Sequence, residues 1–239
     1  MKIDVEQGSV LLVDKPLHWT SFDVVNKLRY ALLKNLHRFM HDAPDVKRKI
    51  KVGHAGTLDP LASGLLIVCI GKETKNIDQY MATEKEYTGT IYIGATTPSY
   101  DLETEVYLRY EIGQITNEKI FATAQKFLGV QEQLPPIFSA IKQDGKRLYQ
   151  SAREGKEVEL KPREIAIMEF DITGIEMPLI HFRVVCSKGT YIRSLAHDFG
   201  KALGVGAYLH ALRRTRSGKF HVNDALTVEQ WVQRIHGQE

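Results

Sequence analysis

Apolar runs at the start of the chain are short and broken by charge. SVLLVDK, residues 9–15, reads as a strand that Pro16 stops. Thr20 then opens TSFDVVNKLRYALL, with Asp23 three residues on in the manner of a capping box. Val24, Val25, Leu28, Ala31 and Leu32 recur at helical spacing, which predicts an amphipathic helix with one buried face. The next stretch, HRFMHDAPDVKRKIKV, is polar, contains a proline and reads as a mobile loop or a helix extension. It holds the densest cationic run of the first half, Lys47 to Lys51. LLIVCIG, residues 65–71, is apolar enough for a buried strand closed by Gly71.

KEYTGTIYIGA alternates, with Tyr87, Gly89, Ile91 and Ile93 facing one way and Thr88, Thr90 and Tyr92 the other, as in a strand. ITNEKIFATAQKFLG predicts a helix from an Asn or Thr cap to Gly129, with Ile120, Ala124 and Phe127 on one side. LPPIFSAIKQDGKRLYQSAREGK has two prolines, an Asp-Gly turn and several cations, and predicts an irregular arm standing off the core. IHFRVVCS reads as a strand. After the turn KGT, Ile192, Leu195, Ala196, Phe199 and Leu203 make a helical stripe that Gly204 ends. AYLHALRRTRSGKF returns as a basic strand. Strands and helices without regular βαβ alternation favour an α+β fold over a doubly wound sheet.

Composition adds bounds. The 239 residues are 43% hydrophobic and 26% charged, enough for a sizeable core in one large domain or one domain with a lobe. A formal net charge of +3 permits nucleic-acid binding without arguing for it, so the distribution of charge matters more. Cys69 and Cys186 sit in apolar runs and read as small buried hydrophobes in a reduced compartment. The N-terminus lacks the apolar core of a signal peptide and no apolar run reaches membrane-spanning length; the expectation is a cytoplasmic protein.

In GHAGTLDPLASGLL the local reading of Asp59 is a helix N-cap, with Pro60 at the first helical position. Capping does not need Gly53 and Gly56, which bracket His54 and allow positive φ or close approach to a ligand. In SKGTYIRS, Arg193 falls in the first turn of a helix, where the dipole favours acids, so an anion is expected beside it. KRKIK, GKRLY and LRRTRSGK, interleaved with Tyr149, Tyr208 and Phe220, sketch an RNA-binding surface, although charge runs are usually solvated faces. Two motifs fail. IGKET has Leu66 where a phosphate-binding loop needs its first glycine and Glu73 where it needs Ser or Thr. His37 and His41 have helical metal-pair spacing beside Asp42 but find no third ligand.

LLVDKP…TSFDVV, GHAGTLDPLASGLLIVCIG, KEYTGTIYIG, PPIFSAIKQDGKRLY, CSKGTYIRSLAHDFG and LRRTRSGKF follow one another over residues 9–230. Their order and spacing resemble the TruB-type tRNA pseudouridine-55 synthases. The resemblance implies a mixed, mostly antiparallel central sheet flanked by helices, with RNA-binding insertions, in one catalytic domain over residues 1–239. An RNA-facing arm is expected at about 134–153, with no room for the C-terminal PUA domain of longer members. It implies a reaction without cofactor or metal, on a uridine flipped from the T loop of tRNA. The expected species is a monomer without an obligate protein partner.

Residue by residue, Asp59 matches the required carboxylate, which attacks C1′ or assists departure of the uracil. Arg193 matches its partner, which keeps it ionised in a closed site. Tyr87 matches the tyrosine that stacks on the flipped base, near the C5 proton. Tyr191, His54, Asp101, Leu212 and Lys15 match substrate-pocket positions, Asp101 more loosely than the rest. The sequence departs from the family where His18 replaces the usual glycine two residues after the proline, and in a longer, more basic stretch near residues 33–49.

Two other classes compete. A tRNA-folding chaperone would use the same surface, but has no need of Asp59, Tyr87 and Arg193 together. An aspartate-dependent hydrolase would want a second carboxylate, and none stands out beside Asp59.

Overall fold

The structure, a computed structural model, describes residues 3–39, 49–137, 142–143, 146–147 and 160–237. In chain order the elements are β1 (Ser9–Lys15), α1 (Ser21–Phe39), β2 (Val52–Ala55), β3 (Ala62–Ile70), a 3-10 turn (Gly71–Asn76), α2 (Ile77–Met81), β4 (Lys85–Ile93), β5 (Ala95–Thr96), β6 (Leu108–Arg109) and α3 (Asn117–Gln125). There follow β7 (Gly129–Gln133), β8 (Lys142–Gln143), β9 (Lys146–Arg147), β10 (Arg163–Glu176), β11 (Leu179–Cys186), α4 (Ile192–Leu203), β12 (Ala207–Ser217), β13 (Phe220–His221), β14 (Leu226–Thr227) and α5 (Val228–His236). They form two compact units, residues 1–85 with 213–239 and residues 86–212; the chain crosses between them inside β4 and β12.

In the first unit β1 pairs antiparallel with β3 and parallel with β14, and β2 runs antiparallel along the other edge of β3 at Ile67–Ile70. The capping box expected at Thr20 is formed: Thr20 N–H donates to Asp23 Oδ2 at 2.8 Å and Asp23 N–H to Thr20 Oγ1 at 3.0 Å. Val24, Val25, Leu28, Ala31 and Leu32 are buried as the periodicity predicts, against Leu66, Val68, Val228, Trp231 and Ile235. α5, not expected from the sequence, closes this core. It starts at a Thr227–Gln230 capping box, and Trp231 Nε1 donates to Leu12 O at 2.8 Å.

The second unit holds a sheet in which β11 lies between β4 and β10, and β7 pairs antiparallel with β10. The sheets are mostly antiparallel with helices packed on them, an α+β arrangement as expected. Phe170 packs edge-on against Phe127, Phe182 and Phe199, with centroids 5.7–6.2 Å apart, and joins β10 and β11 to α4. The stripe on α4 is buried in full and Gly204 ends the helix at φ +81°.

Two expectations are corrected. α3 stops at Gln125, short of Gly129, which at φ +97° opens β7. The glycine is therefore a strand start after a short irregular link, not a helix stop. Second, no helix follows Asp59 and Pro60; they form a tight turn into β3. In the arm expected at 134–153, β8 and β9 pair antiparallel. Most of the rest, with Tyr149, lies outside the described residues, as do His41, Asp42 and Lys47.

Candidate active site

Asp59 belongs to the first unit. Residues 56–61 link β2 to β3, and Ala62 N–H donates to Asp59 O at 3.0 Å. Asp at the first position of a turn and Pro at the second suit this geometry as well as they suit a helix start. Both flanks of Asp59 are pinned, one to the first residue of α1 and the other to the segment just before it. Leu58 N–H donates to Ser21 Oγ at 2.9 Å, and that hydroxyl donates back to Leu58 O at 3.1 Å. His18 N–H donates to Pro60 O at 2.8 Å. To do so His18 adopts φ +66°, the left-handed conformation that glycine enters without strain.

Two buried cations lie under this turn. The Arg214 guanidinium donates from Nε to Leu65 O at 2.7 Å and from Nη2 to Gly56 O at 2.9 Å. Gly56 sits at φ +89°, and a Cβ there would come 3.2 Å from Arg214 Nη1. That close approach and that φ are what the second glycine of GHAG provides for. Lys15 is fully buried, with Nζ donating to Pro16 O at 2.8 Å and Trp19 O at 2.6 Å. Burial pushes its pKa down to about 8; Asp59 and Asp23 pull it up and Arg214 presses it down. His54, on β2, has its pKa lowered by burial and then by Arg214, which favours the neutral ring at pH 7. Its buried Nδ1 has no hydrogen-bond partner among the described residues.

Arg193 belongs to the second unit, as the second residue of α4, and is 5% exposed. One anion beside it is Asp101, whose Oδ2 is 3.7 Å from Arg193 Nε, an ion pair rather than a hydrogen bond. Arg193 Nη1 also donates to Ser99 O at 3.4 Å. The Asp101 loop is shaped by Thr97 Oγ1 donating to Asp101 O at 2.7 Å and by Tyr100 at φ +65°, stacked on His197 at 3.9 Å. Tyr191 caps α4. Its N–H donates to Gln133 Oε1 at 2.8 Å and its carbonyl accepts from Gln133 Nε2 at 3.0 Å, while Arg163 lies 5.4 Å over its ring. Tyr87 is buried on β4 and Leu212 half-buried on β12.

The structure thus gathers Asp59, His54 and Lys15 in one unit and Arg193, Asp101 and Tyr191 in the other. Sequence reasoning missed Ser21, Gln133, Tyr100 and the structural part of Arg214. For Arg214 a signal existed: side chains alternate along a strand, so Arg213 and Arg214 cannot both face solvent. Among the described residues, no three His, Cys, Asp or Glu side chains converge in a way that could hold a metal ion. No helix among them is long and apolar enough to cross a membrane.

Residues 45–192 match the model of the TruB family pseudouridylate synthase N-terminal domain, and 193–238 that of the tRNA pseudouridylate synthase B C-terminal domain. The chain is 54% identical over 222 residues to tRNA pseudouridine synthase B of Flavobacterium johnsoniae, covering 93% of each chain. It is 49% identical to that of Phocaeicola vulgatus, over 99% of this chain and 97% of the relative. Among solved structures, a chain of a Cbf5-Nop10-Gar1 complex superposes with TM-score 0.69 at 30% identity, over 96% of this chain. A chain of an H/ACA RNP bound to a substrate RNA containing 2′-deoxyuridine gives 0.67 at 28%. This chain spans about half the length of those two, 54% and 53%.

Proposed function

Since the chain belongs to the TruB family of pseudouridylate synthases, we propose that Asp59 is the carboxylate through which it isomerises a uridine in the T stem-loop of tRNA. The enzyme is a tRNA pseudouridine synthase. In the reaction the N1–C1′ bond breaks, a C5–C1′ bond forms, the C5 proton passes to solvent and N1 takes one up. Asp59 attacks C1′ or stabilises its developing positive charge. Tyr87 stacks on the flipped base, worth roughly 1–3 kcal/mol against the cost of unstacking. The Arg193 pairing with Asp59 expected from the sequence is part of this proposal, with Asp101 orienting the guanidinium. His54, Tyr191 and Leu212 shape the pocket, and Lys15 serves from beneath the turn. The working species is a cytoplasmic monomer acting as one catalytic domain.

The observation that carries the proposal is the fixing of Asp59 in a tight turn, with Leu58 bonded to Ser21 at the start of α1 and Pro60 to His18 just before it. A helix cap would not need that. The test is tritium release from an unmodified tRNA transcript carrying [5-³H]uridine, with wild type and Asp59→Asn compared and filter binding on both. Wild type should release tritium and Asp59→Asn should lose at least about 1,000-fold in kcat with unchanged binding. Binding without release by either protein would return Asp59 to a structural role and the chain to a folding chaperone.

A further inference from the structure

Two sequence features stand outside the site: the cationic run ending at Lys51, and IGKETK, which fails as a phosphate-binding loop. The fold joins them. Val52 is paired with Ile70 at the end of β2 and β3, and Gly71 N–H donates to Lys51 O at 2.8 Å. The two segments therefore leave the sheet side by side and line one concave pocket of about 340 Å³. Lys49, Lys51, Lys72 and Lys75, all exposed, reach its rim, with Glu6 as the opposing charge. Val5, Leu36 and Ile50 lie between them. The lining residues thus carry four cations against one acid.

We infer that this pocket is a second RNA-binding site, which grips the sugar-phosphate backbone of the substrate away from the reacting uridine. The inference rests on the reading of the chain as a tRNA enzyme. Asp59 lies at the beginning of β3 and the pocket at its end. Nine residues of strand at about 3.3 Å each separate them by about 30 Å, so the pocket lies well away from the reacting carboxylate. Four ammonium groups around a concavity suit phosphate oxygens, since lysine binds phosphate as a mobile point charge and needs no fixed geometry. Among the described residues the pocket has no aromatic lining on which a base could stack, so its contribution is affinity and register rather than base recognition.

The experiment is the salt dependence of full-length tRNA binding by the intact protein, wild type against a variant with Lys49, Lys51, Lys72 and Lys75 all changed to Gln. Every phosphate left without its lysine should flatten the slope of log K against log salt by about 0.7–0.9. With all four lysines on phosphates the variant's slope is expected to be shallower by about 2.8–3.6, with tritium release at saturating tRNA unchanged. An unchanged slope overturns the inference. So does a loss of inorganic phosphate binding with the RNA slope intact, which would make the pocket a small-anion site. Absence of tritium release from wild type would refute the enzyme reading, while the slopes still report on the pocket.

Discussion

The turn that carries Asp59 and the corner that carries Arg193 are fixed by different chemistry. Around Asp59 the fixing groups are buried cations and a hydroxyl: Arg214 and Lys15 donate to four main-chain carbonyls, and Ser21 bonds Leu58. Around Arg193 a neutral amide and a stacked ring hold the backbone, beside the Arg193–Asp101 ion pair and the Arg163 cation over the Tyr191 ring. The difference follows from what each backbone leaves open. A turn folded back on strand ends presents carbonyls, which long cationic side chains satisfy several at a time. A helix N-terminus presents N–H groups, and the Gln133 carboxamide matches one of these together with the adjacent carbonyl. A buried cation must keep its partners because unpaired it is costly. The Asp59 side is therefore the one where single substitutions should cost most.

Arg214→Met is the hardest test. It strips a donor from Gly56 O and Leu65 O, and should cost about 3 kcal/mol in urea unfolding and lower kcat more than it raises KM. Gln133→Ala removes both bonds to Tyr191 and should cost about 2 kcal/mol by the same assay. If it costs more than Arg214→Met, the ranking of the two regions is reversed.

The buried Lys15 gives a pH signature. Its folded pKa, about 8, lies below the value of 10.5 for a free lysine, so between these pH values the unfolded chain holds more protons than the folded one. Stability must then rise with pH across that window. Relative to Lys15→Met, wild type should gain on the order of 1–2 kcal/mol between pH 7 and pH 9.5. A constant gap between the two urea midpoints would show that Lys15 carries no such penalty. The smallest effect is expected at His18. His18→Gly removes a left-handed backbone cost of roughly 1–2 kcal/mol but adds chain entropy to the unfolded state, for a net gain of less than about 1 kcal/mol. Calorimetry would read this as a slightly higher Tm.

Much of this fold is legible in the sequence. Periodicity locates β1, α1, β4, β11 and α4 because each buries one face, and burial is what the pattern of apolar positions records. It fails at Asp59–Pro60 because the same two residues start turns and helices alike. It overruns α3 because Phe127 continues the apolar spacing after the helical hydrogen bonds have ended. β10 escapes it, since REIAIMEFDITGIE mixes charge with apolar residues along a strand buried only at intervals.

The sequence by itself determined the family: Asp59, Tyr87 and Arg193 stand in motifs too specific to be accidental, and the family follows from their order. Only the tertiary structure decided what holds two of them. Arg214 reads as surface charge and Lys15 as a substrate-pocket position until burial gives both of them carbonyl partners, and Asp101 meets Arg193 across 92 residues of chain. Charge in a sequence carries no record of burial. Whether a cation is solvated or buried depends on which backbone groups the fold leaves unsatisfied beside it.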